Sequence, residues 1–347
     1  MQKLKATCWN IKWLNTLMEE TGNPTAQRKK DKRLKAVCDE LVALNPDVLC
    51  LIEGCVGEDK IDFFCQTHLN GQWQAIKLAD SRYAIRGRQW IWFLVRTDIA
   101  ANFSLQSPTI WQSLVGDSSW PVHYWGDFDT EKHNHYRHPQ VLVSQWAEQR
   151  IEFIGLHTKS KFVSRGKSDW KAGGSRQEKF IKSAIKARIK MTTEVTNVRQ
   201  YINKRFEQTA NPAIIVMGDL NDGPGKEHIE SKYLFFDLMS NLQGDVFFSK
   251  RFLTHALFDY DESLRWSCFF KDYIDPARNP RILLDHILYT QPLIDGSLPF
   301  QVQHKSGLIE HEVHDLVNAA VPKYAETSDH KPVSITLSLT QCGLHRS

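Results

Sequence analysis

The segment NPAIIVMGDLNDGPG, residues 211–225, joins an apolar run directly to acidic and amide side chains. Residues 213–217 are apolar and predict a strand buried on both faces, whereas the glycines and the proline beside the polar residues predict turns. The side-chain oxygens of Asp219, Asn221 and Asp222 therefore gather where a core strand ends. That is a common place for a binding site in an α/β protein. A turn in which these residues only cap the strand is the structural alternative.

The composition indicates a soluble globular protein. The chain has 347 residues, 41% of them hydrophobic and 24% charged, which is enough apolar material for a sizeable core. The first 15 residues hold no apolar run of signal-peptide length, and no segment approaches a membrane-spanning length. We therefore expect a cytoplasmic protein without membrane contact. The seven cysteines lie mostly in apolar runs without CxxC spacing, which predicts reduced core thiols, not disulfides or a zinc site.

Positive charge is concentrated in one part of the chain. Residues 159–205 contain 14 Lys and Arg against 3 acidic residues, although the formal net charge of the whole chain is only +4. A basic segment on an acidic body points to a polyanionic ligand, with nucleic acid the first candidate. A basic helix face that is simply solvated is the alternative.

Short apolar runs with the length and composition of strands recur along the chain. They are LKATCW, DVLCLI, WIWFLV, VLVSQW, IEFIGL, AIIVMG, ILLDHILYT and VSITLSL. Helix-like segments lie between several of them, so the sequence predicts mixed α/β layers. No repeat or long linker divides the chain. We expect one domain over residues 1–340, a basic loop and helix insertion at about 159–207, and a tail at 341–347.

Four local predictions accompany this layout. Residues 29–44 have apolar side chains at a spacing of three and four and predict a helix. Ser175 and Glu178 fit a capping box ahead of a long helix with an apolar stripe and an opposite basic face. Residues 162–174 predict an exposed loop, and residues 111–138 an irregular segment that borders the site.

Polar side chains follow or interrupt other strand-like runs in the same way as in the opening segment. They are Asn10, Glu53, His157, Asp285, His286, Asp329 and His330. Any one of them could be a strand-end cap, but the recurrence of Asn, Asp, Glu and His indicates a common site. Carboxylate and amide oxygens favour Mg²⁺ or Mn²⁺ over zinc, and a histidine oriented by an aspartate can take a proton from water. Together these parts would hydrolyse a phosphoester.

Six motifs, in this order and over nearly the whole chain, resemble the endonuclease/exonuclease/phosphatase superfamily typified by deoxyribonuclease I. They are WNIKWLN, PDVLCLIEG, GLHTKS, VMGDLNDGP, LDHILY and SDHKPV. The resemblance implies a four-layer α/β sandwich, in which two mostly antiparallel β-sheets pack face to face with helices outside. It also implies a metal-dependent phosphoesterase site along one edge of the sheets.

The resemblance assigns a role to each matching residue. Asn10 and Glu53 would bind Mg²⁺ or Mn²⁺, and Asp329 would lie beside the metal. Asp219 and Asn221 would position the attacking water and contact the scissile phosphate, while the neighbouring glycines let the phosphate approach. His330, oriented by Asp285, would be the general base or a transition-state contact.

Further residues would contact the substrate. The resemblance implies that His157 contacts the phosphate and protonates the leaving group, and that Arg137 clamps a phosphate oxygen. Lys159 and Lys161 follow His157 closely enough to reach phosphates, with solvated turn lysines as the alternative. Trp170 and the tryptophans of residues 111–125 could stack on bases, although core packing is favoured for most of them.

The chain departs from related branches at three places. Gln89 stands where the deoxyribonuclease I branch pairs a glutamate with its histidine. Lys12 and His157 replace the aspartate and tyrosine of apurinic endonucleases, which argues against abasic-site repair. Leu284, Asp285 and His286 replace the Trp-Cys-Asp-Arg sequence of inositol polyphosphate 5-phosphatases, which argues against an inositide phosphatase.

The sequence therefore predicts a Mg²⁺-dependent phosphodiesterase that hydrolyses nucleic acid, most simply an endonuclease, with DNA favoured over RNA. A phosphatase or phosphodiesterase for a small molecule or a phospholipid headgroup is the first alternative, because one fold serves all of these substrates. A binding module that has lost catalysis is a second alternative, which the intact set of site residues disfavours.

Overall fold

The computed structural model describes residues 3–83, 87–115, 119–124, 130–146, 149–233 and 237–339. The strands are β1 (Lys3–Asn10), β2 (Val48–Gly54), β3 (Trp73–Ala75), β4 (Trp90–Arg96), β5 (Phe103–Leu105), β6 (Trp120–His123), β7 (Thr130–His133), β8 (Gln140–Trp146), β9 (Gln149–His157), β10 (Ala213–Asp219), β11 (Leu253–His255), β12 (Cys268–Phe269), β13 (Arg281–Ile282), β14 (Asp285–Thr290), β15 (Phe300–Val302), β16 (Leu308–Ile309) and β17 (Val333–Leu339). The α-helices are α1 (Leu14–Leu17), α2 (Pro24–Leu44), α3 (Glu58–Phe63), α4 (Thr109–Val115), α5 (Gly166–Ala172), α6 (Gly174–Gln208), α7 (His228–Tyr233), α8 (Leu238–Gln243) and α9 (His311–Ala319).

Most strands belong to two sheets. The first sheet has the order β15-β17-β1-β2-β4-β3, with β16 also paired to β17, and the second has the order β11-β14-β10-β9-β8-β5. The pairs β1–β2 and β9–β10 are parallel, and the other pairs in these sheets are antiparallel. Two short hairpins, β6–β7 and β12–β13, lie outside both sheets.

The main core lies between the two sheets, because alternate side chains of both point inward. Buried residues of the first sheet, such as Cys8 and Phe93, pack there with Phe153 and Met217 of the second. The expected sandwich of two mostly antiparallel sheets is therefore confirmed.

Helices cover the outer faces of both sheets. The α2 helix begins where Asn23 accepts hydrogen bonds from the N–H groups of Thr25 and Ala26, five residues before the predicted start, and its apolar face packs on the first sheet. The 35-residue helix α6 places Val195, Val198 and Ile202 against the second sheet. The layers are thus helix, sheet, sheet and helix, as expected.

Three local predictions were wrong. The residue before α6 is Gly173 in a left-handed conformation, and Ser175 lies inside the helix, so the capping box is not formed. Helix α5 occupies most of the predicted loop at residues 162–174. The predicted irregular segment at 111–138 contains the end of α4 and the β6–β7 hairpin. Regular structure forms in this last segment because Trp111 and Trp120 supply buried packing.

The other composition-based predictions have mixed outcomes. The cysteines among the described residues are free and buried, as expected for core thiols, whereas Cys342, the tail at 341–347 and Trp125 lie outside the described residues. No helix within the described ranges combines the length and apolar character that crossing a membrane requires. The domain limits and the basic insertion stay predictions.

Candidate active site

Three predicted site residues stand in one row across the second sheet. His157 ends β9, Asp219 ends β10 and Asp285 begins β14. Asp219 is the register partner of both His157 and Asp285. Because register partners on neighbouring strands project from the same face, the topology itself brings these three side chains together.

The first sheet contributes Asn10 and Glu53. Asn10 ends β1, and its Nδ2 atom donates to Oδ2 of Asp219 at 2.9 Å, which joins the two sheets. Glu53 lies where the pairing of β2 with β4 becomes irregular, and its backbone is left-handed with φ 60°. Its Oε2 atom accepts from the N–H of Trp13 at 2.9 Å. A left-handed non-glycine residue costs about 1–3 kcal/mol, and such residues concentrate at functional sites.

Asn221 is also left-handed, with φ 50°. Its backbone N–H donates to Oδ1 of Asp219 at 2.8 Å, and its amide donates to the carbonyl of Thr158 at 3.2 Å. The segment that follows β10 is therefore held against the end of β9.

The glycines beside these residues serve close packing within the protein. A Cβ at Gly218 would lie 1.7 Å from the carbonyl oxygen of Leu156, and one at Gly223 would lie 2.1 Å from that of Leu283. We expected these glycines to make room for phosphate. In the structure they make room for the backbone of the neighbouring residues Leu156 and Leu283.

His330 and Asp285 form a buried pair. The Nδ1 atom of His330 donates to Oδ2 of Asp285 at 2.7 Å, and the hydroxyl of Ser267 donates to the same oxygen at 2.7 Å. Burial opposes the charge on His330, but the carboxylates of Asp285, Asp219 and Asp329 outweigh it and raise the pKa of His330 to about 10. His330 is therefore an imidazolium at neutral pH.

Asp219 is the carboxylate whose pKa lies near neutrality. Burial, together with the charge of Asp285, raises the pKa of Asp219 to about 6 against the opposing effect of His330. The carboxylate is thus ionised at pH 7 but remains able to accept a proton. One ligand atom from each of Asp219, Asp285 and His330 lies within 4.8 Å of the others, so these groups act on one another.

His157 is neutral in this site. Burial and the neighbouring positive charge of Arg137 lower the pKa of His157 well below its usual range. Its Nε2 atom lies 3.7 Å from Oδ2 of Asp219, too far for a hydrogen bond, and its buried Nδ1 atom has no partner among the described residues. A neutral imidazole can donate one N–H to a phosphate oxygen, but it is not charged to protonate a leaving group.

Arg137 holds backbone atoms instead of facing a substrate. Its guanidinium donates to the carbonyls of His157 at 3.1 Å and Thr158 at 2.7 Å, and to the side-chain oxygen of Gln89. Arg137 therefore fixes the end of β9, and its contact with a phosphate oxygen stays a prediction. Gln89 reaches the end of β9 through Arg137.

The two predicted phosphate-binding lysines also have protein partners. The ammonium of Lys161 lies in a buried cluster with Asp222, Glu227 at 3.2 Å and Glu230 at 2.8 Å. Lys161 is therefore held by these three carboxylates, whose buried negative charge its ammonium balances, and not at the strand-end site. The ammonium of half-buried Lys159 donates to the carbonyl of Ser160 at 3.2 Å.

Asp329 pairs with Lys12 at the rim of the site. Their side chains are about half exposed and lie 2.7 Å apart. Burial would raise the pKa of Asp329, but the hydrogen bond from Lys12 outweighs it and lowers that pKa. Lys12 thus supplies the countercharge at the residue predicted to lie beside a metal.

The oxygens of Asn10 and Glu53 fit a hard divalent cation. Asn10 Oδ1 accepts from the N–H of Lys12, and Glu53 Oε2 accepts from the N–H of Trp13. The amide oxygen of Asn10 and the carboxylate of Glu53 each retain unused lone pairs. An oxygen set of this kind suits Mg²⁺ or Mn²⁺. Asp219, Asp285 and His330 are also close enough to share an ion.

The sequence did not indicate two residues that organise the site. Ser267 donates to Asp285 and accepts from the N–H groups of Leu284 and Asp285 at 3.1 Å. Arg33, on the helix predicted at residues 29–44, donates to the carbonyls of Ile11, Lys12 and Thr327. No motif in the sequence marks Ser267 or Arg33, because the groups that they contact are distant along the chain.

No protein-family model matches the chain, and no curated protein resembles it in sequence. Several solved structures resemble the chain in fold. A truncated TDP2 from Caenorhabditis elegans matches with a TM-score of 0.52 and 14% identity, over 97% of both chains. TDP2 from the same organism matches over 97% of this chain and 75% of that chain, with 14% identity and a TM-score of 0.51. An endonuclease/exonuclease/phosphatase family protein from Bacteroides thetaiotaomicron matches over 97% and 98%, with 12% identity and a TM-score of 0.47. The two TDP2 structures show that the chain has the deoxyribonuclease I-like fold that its motifs implied.

Proposed function

We propose that this chain is a divalent-metal-dependent phosphodiesterase that hydrolyses nucleic acid, with DNA as the favoured polymer and internal cleavage as the favoured mode. One observation carries the proposal. An aspartate with a pKa of about 6, Asp219, lies beside the imidazolium of the Asp285–His330 pair, at the same edge as the metal-compatible oxygens of Asn10 and Glu53. A proton acceptor, a fixed positive charge and hard oxygens are the parts that phosphoester hydrolysis needs.

Each group has a defined role in this proposal. Asp219, ionised at pH 7, takes a proton from the attacking water as the water oxygen bonds to phosphorus. The bond from phosphorus to the leaving oxygen breaks, and the leaving oxygen takes a proton from solvent. His330 is oriented by Asp285 and stabilises the negative charge on the phosphoryl oxygens, while neutral His157 donates an N–H to one of them.

A metal bound by Asn10 and Glu53 would polarise a phosphoryl oxygen and offset the charge of the phosphate. Its affinity depends on the carboxylate of Glu53, whose position is fixed by the left-handed backbone and by the N–H of Trp13.

A smaller phosphoester, such as a phospholipid headgroup or a soluble phosphodiester, is the second candidate. One observation favours it: much of the charge on α6 has protein partners. Lys186 and Lys190 pair with Glu131, and Arg188 pairs with Glu227 and Glu230. A helix with fewer solvated cations attracts a long polyanion less strongly.

The deciding experiment incubates the purified protein with supercoiled plasmid, linear single- and double-stranded DNA, RNA and bis(p-nitrophenyl) phosphate, with Mg²⁺, Mn²⁺ or chelator. Glu53→Gln and Asp219→Asn should each lose metal-dependent cleavage, whereas the exposed Asp59→Asn should cleave like the wild type. Cleavage that survives in either site variant would contradict the assigned site. Hydrolysis of the small diester with no polymer cleaved would establish the second candidate.

A further inference from the structure

Five aromatic side chains on segments that adjoin the candidate site are exposed. Their exposed fractions are 42% for Trp13, 51% for Tyr136, 76% for Phe162, 55% for Phe269 and 49% for Phe270. We call these five residues the aromatic rim. Exposed aromatic surface is unfavourable in water, so several exposed rings on segments beside one site indicate a ligand that covers them.

Three members of the aromatic rim are tied to the site through the first turns after its strands. The N–H of Trp13 donates to the carboxylate of Glu53. Tyr136 immediately precedes Arg137, whose guanidinium holds the carbonyl of His157. Phe162 is five residues beyond His157 and follows Lys161, which is anchored to Asp222. These three residues therefore lie on segments that are held beside the ends of β1, β2 and β9.

Phe269 and Phe270 follow a residue whose backbone is paired with that of His330. Cys268, the residue before Phe269, forms an antiparallel bridge with His330. The carbonyl of Ser267 accepts from the N–H of Lys331 at 2.7 Å, which fixes this hairpin beside the imidazole. The two phenylalanines thus extend from the backbone that carries the charged pair.

A cleft lined by arginines lies along the same hairpin. It has a volume of about 170 Å³ and is lined by Arg265, Arg278 and Arg281 together with Glu227, Asn279 and residues 223–224 and 282–284. Arg278 pairs with Glu227 at 3.1 Å, and Arg281 stacks on Trp266 at 5.0 Å. Because Leu284 of this lining precedes Asp285, the arginine cleft adjoins the row of His157, Asp219 and Asp285, which we call the catalytic row.

Stacking surface and positive charge alternate on the β12–β13 hairpin. Phe269 of β12 is the register partner of Arg281 of β13, so that an aromatic ring and a guanidinium lie side by side. Unpaired bases stack on aromatic rings and their phosphates bind guanidinium groups, whereas the bases of a duplex are already stacked on one another.

Building on the proposed function, we infer that the substrate is a single-stranded nucleic acid, or a single-stranded region of one. Its bases stack on the aromatic rim, and a phosphate next to the scissile phosphate binds in the arginine cleft. The strand then crosses the catalytic row with the scissile phosphate facing Asp219 and His330.

The test measures binding by fluorescence anisotropy, using the Asp219→Asn protein with Mg²⁺ and labelled single-stranded or duplex DNA of the same sequence. Removing Phe269 and Phe270 by a double change to Ala should weaken single-strand binding by about tenfold for each ring and leave duplex binding unchanged. Phe162→Ser, on the segment that follows β9, should also weaken it by about tenfold. The matched control changes Phe247 and Phe248, which are 91% and 60% exposed but lie in residues 244–251 away from the site, and should bind as before.

Charge is tested separately. Arg281→Gln should reduce the slope of log affinity against log salt by about 0.7 for the single strand, the value expected for one lost phosphate contact. Equal affinity for both DNA forms, or an equal loss in the Phe247 and Phe248 control, would overturn the inference. Binding of anionic phospholipid vesicles with no single-strand binding would overturn it as well, and would assign the aromatic rim to lipid.

The inference and the proposed function fail in different ways. Suppose that the wild-type protein hydrolyses bis(p-nitrophenyl) phosphate and nicks duplex plasmid without any preference for single strands. This result would support the proposed function and contradict the inference of a single-stranded substrate. Rim-dependent single-strand binding without hydrolysis of any phosphoester contradicts the function and, with it, the assignment of the strand as a substrate.

Discussion

Asn10 donates a hydrogen bond of 2.9 Å to Asp219 from the other sheet of the sandwich. The row of His157, Asp219 and Asp285 on the second sheet is therefore joined to the end of β1 in the first sheet. Burial raises the pKa of Asp219 to about 6, although the hydrogen bond from Asn10 acts in the opposite direction. The buried charge that the proposed reaction needs is therefore unfavourable for stability, and this opposition can be measured.

Asp219→Asn should abolish turnover and stabilise the protein. Burial raises the pKa of Asp219 from its ordinary 3.8 to about 6, so the folded state loses stability as pH rises through that interval. At pH 7 the variant should gain on the order of 1 to 3 kcal/mol in free energy of unfolding. Urea unfolding measures the gain, which should shrink towards zero near pH 4, where the wild-type carboxyl is protonated. A loss of stability at pH 7 would contradict the buried charge.

Activity should have two pH limits. Below about pH 6 Asp219 is protonated and cannot accept a proton from water, so the rate should fall as pH decreases. Above about pH 10 His330 loses its positive charge, so the rate should fall as pH increases. Steady-state rates on bis(p-nitrophenyl) phosphate from pH 4 to 11 measure both limits. Because Asp285 helps to raise the pKa of His330, Asp285→Asn should move the alkaline limit towards neutral pH. An alkaline limit that does not move would show that the titration of His330 does not cause it.

Arg188→Met should destabilise the loop after Asp219. Arg188 pairs with Glu230 at 2.9 Å and Glu227 at 2.5 Å, so the variant leaves buried carboxylates without this charge and should cost about 3–5 kcal/mol. The exposed Lys182→Met on the same helix should change stability by less than about 0.5 kcal/mol. Equal effects of the two changes would show that the ionic cluster does not anchor the loop.

The same cluster predicts an acid limit to stability. Burial opposes the charge of Glu227, but Lys161, Arg188 and Arg278 outweigh it and lower the pKa of Glu227 to about 2. A lowered pKa contributes stability above pH 4.5 that is lost as pH falls towards 2. Urea midpoints across this interval should fall less steeply for Arg188→Met than for the wild type.

Gly218→Ala should prevent correct folding. The added Cβ would lie 1.7 Å from the carbonyl oxygen of Leu156 on the paired strand β9, where no side chain can move aside. We expect a loss above about 4 kcal/mol, or insoluble protein. Gly22→Ala, where nothing lies within 4 Å of the new Cβ, should remain folded and active. Soluble, active Gly218→Ala protein would show that β9 and β10 can separate at this point.

The sequence predicted the site residues that stand at strand ends, because apolar runs and their polar successors are local patterns. Asp219 and Asp285 were found in this way, but their register could not be derived, since it depends on how β10 and β14 align. The left-handed backbone of Glu53 was also unpredictable, because it arises from the irregular pairing of β2 with β4.

The structure gives protein partners to two long cationic side chains that were predicted to bind phosphate. Arg137 and Lys161 were expected to face phosphate because they lie close in sequence to strand ends. In the structure their partners are backbone carbonyls at residues 157–158 and carboxylates at residues 222–230. A charge inside a protein is assigned by three-dimensional proximity, and a single sequence does not show which acidic residue folds back onto it.

The pairing of β1 with β17 has a consequence for the order in which the candidate site can assemble. Lys3 of β1 is the register partner of Ser338 of β17, and the candidate site combines Asn10 at the end of β1 with His330, which precedes β17. Ribosomal synthesis produces β1 long before β17, so the candidate site stays incomplete until β17 has emerged and paired with β1. A fragment that stops before His330 therefore cannot assemble the proposed phosphoesterase site.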